Sequence, residues 1–276
     1  MTYRQLLETG TRILKESNID EYDVDSYILF EYMTGMKRSF YLAHSDDEVP
    51  LDAEKSYLDV IKKRSERYPL QYITHTAYFY GAEYYVDESV LIPRFDTENL
   101  VELVLKNEND AKNFLDMCTG SGCIAIAIKD NLKAINSTAA DISEAALKVA
   151  KKNADGHCAD ITFIHSDLFE NIDGKYDFIV SNPPYIVKDV ISTLMPEVKD
   201  YEPANALDGG EDGLDFYRQI IKESPKYLNK KGRLYFEIGY DQGESVSNLM
   251  RDAGFEDILV KSDLSGNDRC VMGILR

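Results

Sequence analysis

Three stretches in the middle of the chain are each typical of a short buried strand that carries an aspartate near its end. They cover residues 113–117, 137–142 and 161–167, and they contain Asp116, Asp141 and Asp167. Helical patterns rich in alanine follow the first two stretches. Strands that alternate with helices pair in parallel, and their carboxyl ends meet at one edge of the sheet, where such folds bind ligands. The sequence therefore predicts an α/β fold with a mostly parallel sheet and an acidic ligand-binding edge.

A small-residue loop follows the first strand pattern and leads into a helix. Gly120 and Gly122 permit a tight turn and a close approach of the backbone to a ligand. Gly120-x-Gly122-x-x-Ala125 also fits the dinucleotide fingerprint, and Asp141 lies about twenty residues on, where a ribose partner belongs. We predict an adenosine-type ligand, with Asp141 on the ribose hydroxyls and Asp167 on the adenine amino group. The structural alternative for each acid is an ordinary helix cap, and Ser143 is a predicted cap of the second helix.

The tetrapeptide Asn182-Pro183-Pro184-Tyr185 follows a fourth strand pattern at residues 176–180. Two prolines cannot continue a ladder, because they lack N–H donors and fix φ near −65°. The chain must leave the sheet stiffly, with the Asn182 carboxamide and the Pro183 carbonyl as rigid acceptors beside an aromatic ring. A planar NH2 group, such as an amide or an exocyclic base amine, fits that arrangement. The structural alternative is a proline-rich turn.

Charge and composition restrict the class of partner and the compartment. The formal net charge of −18 disfavours a nucleic-acid partner, which needs Lys and Arg to neutralise phosphates, and the basic stretch at 62–67 is too short to change that. No apolar run approaches the roughly twenty residues of a membrane span. The N-terminus lacks an apolar signal core, so we expect a cytoplasmic protein. The four cysteines and four histidines show no metal-ligand spacing, so we expect reduced thiols and no metal.

The chain divides into a small helical part and a larger α/β part. Apolar residues recur at helical spacing through residues 1–72, which are predicted to form an N-terminal helical domain. An aromatic stretch within residues 73–90 is typical of a β-hairpin linker. Residues 91–276 are predicted to form the ligand-binding catalytic domain, and its last two strands, at 255–260 and 269–275, surround a Ser-Gly-Asn turn.

Motifs along most of the chain resemble the PrmC/HemK family, the class I S-adenosylmethionine-dependent methyltransferases that modify the glutamine of class I peptide chain release factors. Besides Asn-Pro-Pro-Tyr, they are Arg-Tyr-Pro-Leu-Gln-Tyr-Ile at 67–73, Val-Leu-Ile-Pro-Arg-Phe-Asp-Thr-Glu at 90–98, Glu-Pro-Ala-Asn-Ala-Leu at 202–207, Gly-Gly-Glu-Asp-Gly-Leu at 209–214, Phe-Glu-Ile-Gly at 236–239 and Ser-Gly-Asn-Asp-Arg at 265–269. The resemblance implies a Rossmann-like sheet with an antiparallel final strand, and a helical N-terminal domain that docks the release factor.

The resemblance also implies roles for individual residues. S-adenosyl-L-methionine is the expected cofactor, with S-adenosyl-L-homocysteine as product, and no membrane, metal or nucleic-acid partner is expected. The implied cofactor-binding residues are Asp116, Cys118, Thr119, Gly120, Ser121, Gly122, Asp141, Ile142, Asp167, Leu168 and Asn182. Those implied at the substrate are Asn182, Pro183, Pro184, Tyr185 and Arg94, of which Asn182, Pro183 and Tyr185 would be catalytic. The segment 92–98 is expected to close over the cofactor or substrate, and Arg94 has an equal alternative as a structural ion-pair partner.

Four positions depart from the family pattern. Cys118 stands at the place of the first loop glycine, His75 at a place often held by glycine, Phe95 at that of a second proline, and Leu168 where an aromatic often adjoins adenine. Because both glycines nearest the cofactor remain, these departures are expected to affect its affinity slightly and not its identity.

Two other activities compete with this interpretation. An adenine-amino methyltransferase acting on DNA or RNA would use the same Asn-Pro-Pro-Tyr motif, with a flipped base stacked on Tyr185; the acidic charge and the long family resemblance disfavour it. A nicotinamide-dependent oxidoreductase would use the glycine fingerprint, but it leaves the double proline unexplained. A catalytically inactive binding protein is disfavoured because Asn182, Gly120 and Asp141 are all present.

Overall fold

The chain folds into two compact units. A computed structural model describes all 276 residues. One unit comprises residues 1–75 together with 196–201, and the other comprises residues 76–195 and 202–276. The sequence analysis placed the end of the helical domain at residue 72 and did not anticipate that residues 196–201 belong to it.

Twelve helices and nine strands make up the two units. The helices are α1 (Tyr3–Glu16), α2 (Tyr22–Thr34), α3 (Arg38–His44), α4 (Leu51–Ser65), α5 (Leu70–Thr74), α6 (Glu98–Asn107), α7 (Cys123–Asn131), α8 (Glu144–His157), α9 (Lys188–Ile191), α10 (Pro196–Lys199), α11 (Asp215–Glu223) and α12 (Gly243–Asp252). The strands are β1 (Thr76–Phe79), β2 (Ala82–Tyr85), β3 (Asn113–Met117), β4 (Asn136–Asp141), β5 (Ile161–His165), β6 (Tyr176–Ser181), β7 (Leu228–Glu237), β8 (Phe255–Ser262) and β9 (Asp268–Leu275). None of the helices is long and apolar enough to cross a membrane.

The helical unit packs α1, α2 and α4 around a small apolar core. Leu6, Leu14 and Phe30 are fully buried in it, and the ring of Phe30 meets that of Tyr57 edge-on. A buried ion-pair network holds the later segment 196–201 in this unit. Arg64 donates to Asp25 at 2.7 Å and to Glu197 at 3.1 Å, and Arg67 donates to the same Glu197 oxygen.

The larger unit contains a seven-stranded sheet in the order β5-β4-β3-β6-β7-β9-β8. The neighbours from β5 to β7 pair in parallel, whereas β9, the last strand in the chain, runs antiparallel to both β7 and β8. The predicted Rossmann-like fold class, with its mostly parallel sheet, antiparallel final strand and N-terminal helical region, is confirmed. The strands β1 and β2 form a separate antiparallel hairpin.

The central strands are covered by helices on both faces, which explains why they are almost continuously apolar. Successive residues of a strand point to opposite faces, so Phe114 and Leu115 enter different apolar cores. The first core contains residues of α6 and α7, and the second contains residues of α11 and α12. The chain starts the sheet at β3, builds outward to β5 and returns to place β6 on the other side of β3. The carboxyl ends of β3 and β6 therefore border a switch point, the place where open α/β sheets bind ligands.

Candidate active site

A cavity of about 380 Å³ lies at the carboxyl ends of β3, β4 and β6. This volume is in the range of small-molecule sites. Eleven of the residues expected at the site line it: Arg94, Cys118, Thr119, Gly120, Ser121, Asp141, Ile142, Asp167, Leu168, Asn182 and Pro184. Asp116, Gly122, Pro183 and Tyr185 do not line it. One cavity thus brings together the glycine loop, the strand-end acids and the first residue of Asn-Pro-Pro-Tyr. Two of its lining residues, Arg94 and Asn182, are 88 residues apart in the sequence.

Glycine is needed at the two loop positions for different structural reasons. Both have a left-handed φ, +54° at Gly120 and +79° at Gly122. A Cβ at Gly120 would meet no atom within 4 Å, which agrees with its place in the cavity wall. A Cβ at Gly122 would lie 3.1 Å from that of Ala150 on α8, so this glycine permits close helix packing behind the loop. Gly120 therefore leaves room for a ligand, whereas Gly122 leaves room for a helix.

Asp116 lies behind the glycine loop and supports it. Its carboxyl group is completely buried and accepts the Thr119 hydroxyl at 2.6 Å. Burial raises the pKa of Asp116 to about 7, against the opposing hydrogen bonds from Thr119 and the Ala125 N–H. The structure therefore places Asp116 where it positions the loop, without direct access to the cavity.

Asp141 holds the glycine loop from the cavity side. One carboxylate oxygen accepts the Gly120 N–H at 2.8 Å, and the other accepts the Ser143 N–H at 2.9 Å. Burial raises the pKa of Asp141, against these same backbone donors. Each carboxylate oxygen has two lone pairs, so both oxygens retain capacity for a ribose hydroxyl. Ser143 caps α8 as predicted, because its hydroxyl accepts the Ala146 N–H.

Two of the departures from the family pattern lie at positions that favour glycine. Cys118 has φ +62° and His75 has φ +53°, both in the left-handed region. Burial raises the pKa of the Cys118 thiol well above its usual range, so this cysteine is a neutral thiol in the cavity wall. Leu168, a third departure, is also left-handed, at φ +45°, and lines the cavity beside the exposed Asp167.

The first residue after β6, Asn182, lines the cavity. The Asn182 Nδ2 donates to the Thr97 hydroxyl at 3.4 Å, which leaves the Asn182 Oδ1 without a hydrogen-bond partner in the structure. Pro183 and Pro184 are buried, as their rigid exit from the sheet requires. The Pro183 carbonyl oxygen accepts no hydrogen bond from the rest of the chain. Both acceptors that the sequence analysis singled out are thus unused.

Residues far along the chain fix the backbone that follows Asn182. The side-chain nitrogen of Gln242 donates to the Tyr185 carbonyl at 3.1 Å and to the Gly213 carbonyl at 3.2 Å. A Cβ at Gly213 would lie 2.4 Å from the Tyr185 carbonyl oxygen, and one at Gly209 would lie 2.7 Å from the Tyr185 Cα. These two glycines are required because the backbones approach each other too closely for a side chain.

Glu237, at the end of β7, contacts the ring of the tetrapeptide. The Tyr185 hydroxyl donates to one carboxylate oxygen of Glu237 at 3.3 Å, and the other oxygen, Oε2, has no hydrogen-bond partner. Burial raises the pKa of Glu237 to about 7, although the Thr97 and Tyr185 hydroxyls and Arg269 favour its ionised form. Burial also raises the pKa of Tyr185, as does the nearby Glu237, so the phenol is neutral.

The segment 92–98 contributes one wall of the cavity and an arginine that pairs with a buried carboxylate. Pro93, Arg94 and Thr97 line the cavity, whereas Glu98 turns away and accepts the Tyr80 N–H at 2.8 Å. Arg94 donates to both oxygens of Glu202 at 2.7 Å, and the Glu202 side chain is 1 % exposed. The ion-pair interpretation of Arg94 is therefore present in the structure, and its contact with substrate stays a prediction.

Sequence analysis missed several residues of the site. Phe216 and Gln219 line the cavity from consecutive turns of α11, which carries no recognisable motif. Thr97 and Glu237 lie inside motifs that carried the family resemblance, and Gln242 follows shortly after one of them, but their partners in the segment 182–185 are 52 to 85 residues away. Nothing in their local pattern indicates such a partner. The described residues also contain no group of three or more His, Cys, Asp or Glu side chains with the geometry of a metal site.

Comparison with known proteins identifies the family. The family model described as PrmC N-terminal domain matches residues 5–74, and the one described as Methyltransferase small domain matches residues 95–197. The Release factor glutamine methyltransferase of Clostridium acetobutylicum is 40% identical over 281 residues, which span 99% of each chain. The chain belongs to the release factor glutamine methyltransferase family. The Release factor glutamine methyltransferase of Clostridium botulinum is 41% identical to this chain, over 98% of each chain. The predicted family membership and methyltransferase class are confirmed.

The solved structures give the fold alone. A methyltransferase from Pyrococcus furiosus superposes with a TM-score of 0.55 at 15% identity, covering 71% of this chain and 90% of that chain. The cavity combines the Asp141 carboxylate with apolar side chains at Ile142 and Leu168 and with open space at Gly120, a lining that is chemically compatible with a nucleoside ligand.

Proposed function

We propose that this protein transfers a methyl group from S-adenosyl-L-methionine to the side-chain amide nitrogen of the glutamine in the Gly-Gly-Gln motif of class I peptide chain release factors. The products are the N-methylated glutamine and S-adenosyl-L-homocysteine. The reaction takes place in the cytoplasm, and the helical unit, which matches the PrmC N-terminal domain, docks the release factor. The full-length similarity to relatives that bear this name supports the proposal.

One observation carries the choice of an amide as acceptor. Asn182 lines the cavity and its Oδ1 has no internal partner, and the adjacent Pro183 carbonyl oxygen is also unused. Two preorganised acceptors match the two N–H groups of a primary amide. A hydroxyl or thiol substrate has one hydrogen to donate and would leave one acceptor unsatisfied, which is costly in a buried site.

Asp141, Ile142, Asp167 and Leu168 would hold the cofactor, with Gly120 and its neighbours against the methionine part. The bound cofactor supplies a methyl group already activated by a sulfonium. The protein therefore mainly needs to align the amide nitrogen with that methyl group, and alignment of two reactants contributes about 7–11 kcal/mol in favourable cases.

The acceptors at Asn182 and Pro183 also act on the charge that develops. As the N–C bond forms and the S–C bond breaks, positive charge grows on the nitrogen and its two protons bind the acceptors more strongly. Tyr185 packs against the flat amide and excludes water. A protonated N-alkyl amide is strongly acidic and loses its proton to solvent, so no side chain is required as a general base.

The experiment is methyl transfer from labelled S-adenosyl-L-methionine to a purified class I release factor. A second copy of the factor, with the glutamine of its Gly-Gly-Gln motif changed to alanine, serves as the matched control. We expect label on the intact factor and none on the altered copy. Equal labelling of both copies would place the target elsewhere in the factor, and labelling of DNA or RNA alone would establish the adenine-amino alternative.

A further inference from the structure

Thr97 and Glu237, two polar residues near Asn182, each have hydrogen-bonding capacity that the other could satisfy. The Thr97 hydroxyl accepts from the Asn182 Nδ2 at 3.4 Å, so its own proton remains available for a different acceptor. The Glu237 Oε2 is buried and accepts no hydrogen bond. The Thr97 hydroxyl lies close enough to Glu237 to hydrogen-bond its carboxylate, and this contact favours the ionised form against the rise in pKa that burial causes. Thr97 is 3% exposed and Glu237 is 3% exposed, so water does not readily satisfy either group.

The chemistry of these groups fixes the direction of their hydrogen bonds. An ionised carboxylate only accepts, a hydroxyl has one proton to donate, and a carboxamide has one donating and one accepting end. If the Thr97 proton points to Glu237, the Thr97 oxygen can only accept, and it selects the NH2 end of Asn182. The oxygen end of Asn182 then faces the cavity. A Thr97 proton turned to Asn182 would select the opposite orientation and present an NH2 group to the substrate.

We infer that Glu237 and Thr97 are positioning residues that set the orientation of the Asn182 carboxamide. Glu237 accepts a hydrogen bond from the Thr97 hydroxyl, and Thr97 accepts one from the Asn182 NH2 group. The Asn182 Oδ1 therefore remains free to accept from the substrate amide. This inference rests on the proposed function for the identity of that amide. Glu237 also accepts the Tyr185 hydroxyl at 3.3 Å, so the same buried carboxylate holds a second side chain of the tetrapeptide.

No other group donates a hydrogen bond to the Glu237 Oε2. Arg269 favours the ionised carboxylate by its charge, but its ion-pair partners are Asp96 and Asp263. The Tyr217 hydroxyl donates to the Glu237 backbone carbonyl at 2.8 Å. Thr97 is therefore the hydroxyl available to the second carboxylate oxygen.

The first test is a pair of substitutions at Thr97, assayed with the intact release factor. Thr97→Val keeps the shape and removes both hydrogen bonds, and we expect kcat to fall about 10-fold or more with an unchanged affinity for cofactor. Thr97→Ser keeps the hydroxyl and is expected to stay within about 3-fold of the original enzyme. A purely structural role would instead change the melting temperature and leave kcat per folded molecule alone.

A second pair of substitutions distinguishes the need for a hydrogen-bond acceptor at position 237 from the need for a negative charge there. Glu237→Met removes the acceptor and releases the Thr97 proton toward Asn182, so kcat is expected to fall about 100-fold. Glu237→Gln retains an oxygen for Thr97 and a nitrogen for the Tyr185 oxygen, and is expected to recover most of the activity. Equal activity of Thr97→Val and the original enzyme would overturn the inference while the proposed function stands.

A measurement without turnover keeps the inference testable if the release factor proves not to be the substrate. In protein labelled with ¹⁵N-asparagine, the Asn182 side-chain signals are assigned by their loss in Asn182→Asp. We expect these signals to shift, and their protons to exchange faster with water, in Thr97→Val and Glu237→Met but not in Thr97→Ser. Signals that are identical in all four proteins would show that neither residue orients the carboxamide.

Discussion

Loop 118–122 and loop 182–185 border the same cavity, but their supporting contacts come from different distances along the chain. Thr119 donates to Asp116, three residues away, and Gly120 donates to Asp141, twenty-one residues away. Asn182 donates to Thr97, which is 85 residues away, and Tyr185 is held by Glu237 and Gln242, more than 50 residues away. Loop 118–122, the proposed cofactor side, is thus held largely by consecutive strands, whereas loop 182–185, the proposed substrate side, is assembled from distant segments.

This difference indicates how each loop responds to substitutions elsewhere in the chain. A loop held by nearby backbone donors keeps its shape when one distant side chain changes. A loop held by side chains from several segments depends on the folded state of all of them. We therefore expect substitutions behind loop 182–185 to reduce turnover, and substitutions in loop 118–122 to act on cofactor affinity.

The largest expected effect is that of Asn182→Ala. Loss of a preorganised acceptor at the reacting centre is expected to reduce turnover by about 10²–10³-fold. Calorimetric affinity for S-adenosyl-L-methionine should change much less, because the ribose and adenine contacts remain. Asn248→Ala, at an exposed position of α12, is the matched control. Turnover at the original rate would break the proposed role of the substrate-side loop.

Gly213→Ala tests whether distant backbone contacts hold loop 182–185. Its Cβ would lie 2.4 Å from the Tyr185 carbonyl oxygen at a position with φ +75°. Overpacking and left-handed strain together are expected to lower the free energy of unfolding by about 2–4 kcal/mol in urea titrations. Gly254→Ala has φ +89° but open space around the Cβ, and should cost only about 1–2 kcal/mol. Equal costs would contradict the steric argument.

Asp141→Ala tests the cofactor-side loop. Hydrogen bonds to a charged group contribute about 1.5–3 kcal/mol, so affinity for S-adenosyl-L-methionine in calorimetry is expected to fall roughly 10- to 100-fold. At saturating cofactor, turnover should recover toward that of the original enzyme, in contrast to Asn182→Ala. An unchanged affinity would remove the ribose assignment of Asp141.

The smallest expected effect comes from Cys118→Gly. Cys118 has φ +62°, a conformation that costs a residue with a Cβ about 1–2 kcal/mol. Part of the gain is offset by the greater freedom of glycine in the unfolded chain. We expect a net stabilisation of about 1 kcal/mol in urea titrations, with cofactor affinity unchanged or slightly improved. A destabilised protein would indicate that the packing of the Cys118 side chain outweighs the strain.

Much of the fold and of the cofactor side followed from local patterns. The strands that end near Asp116 and Asp141, the glycine turn and the Ser143 cap are set by neighbouring residues, and they appear where the sequence predicts them. The same local signals could not separate Asp116 from Asp141. Both end a strand, but only Asp141 lines the cavity, because the strand register decides which face a carboxylate occupies.

The sequence by itself determined the fold class, the family and the rigid exit of the chain at Pro183 and Pro184, because these depend on periodicity, on proline geometry and on contiguous motifs. Tertiary structure alone decided which side chains support loop 182–185. Thr97, Glu237 and Gln242 reach loop 182–185 only after β6, β7 and the 92–98 segment have come together in space. Hydrogen bonds between residues that meet only in the tertiary structure produce no periodic pattern in the sequence.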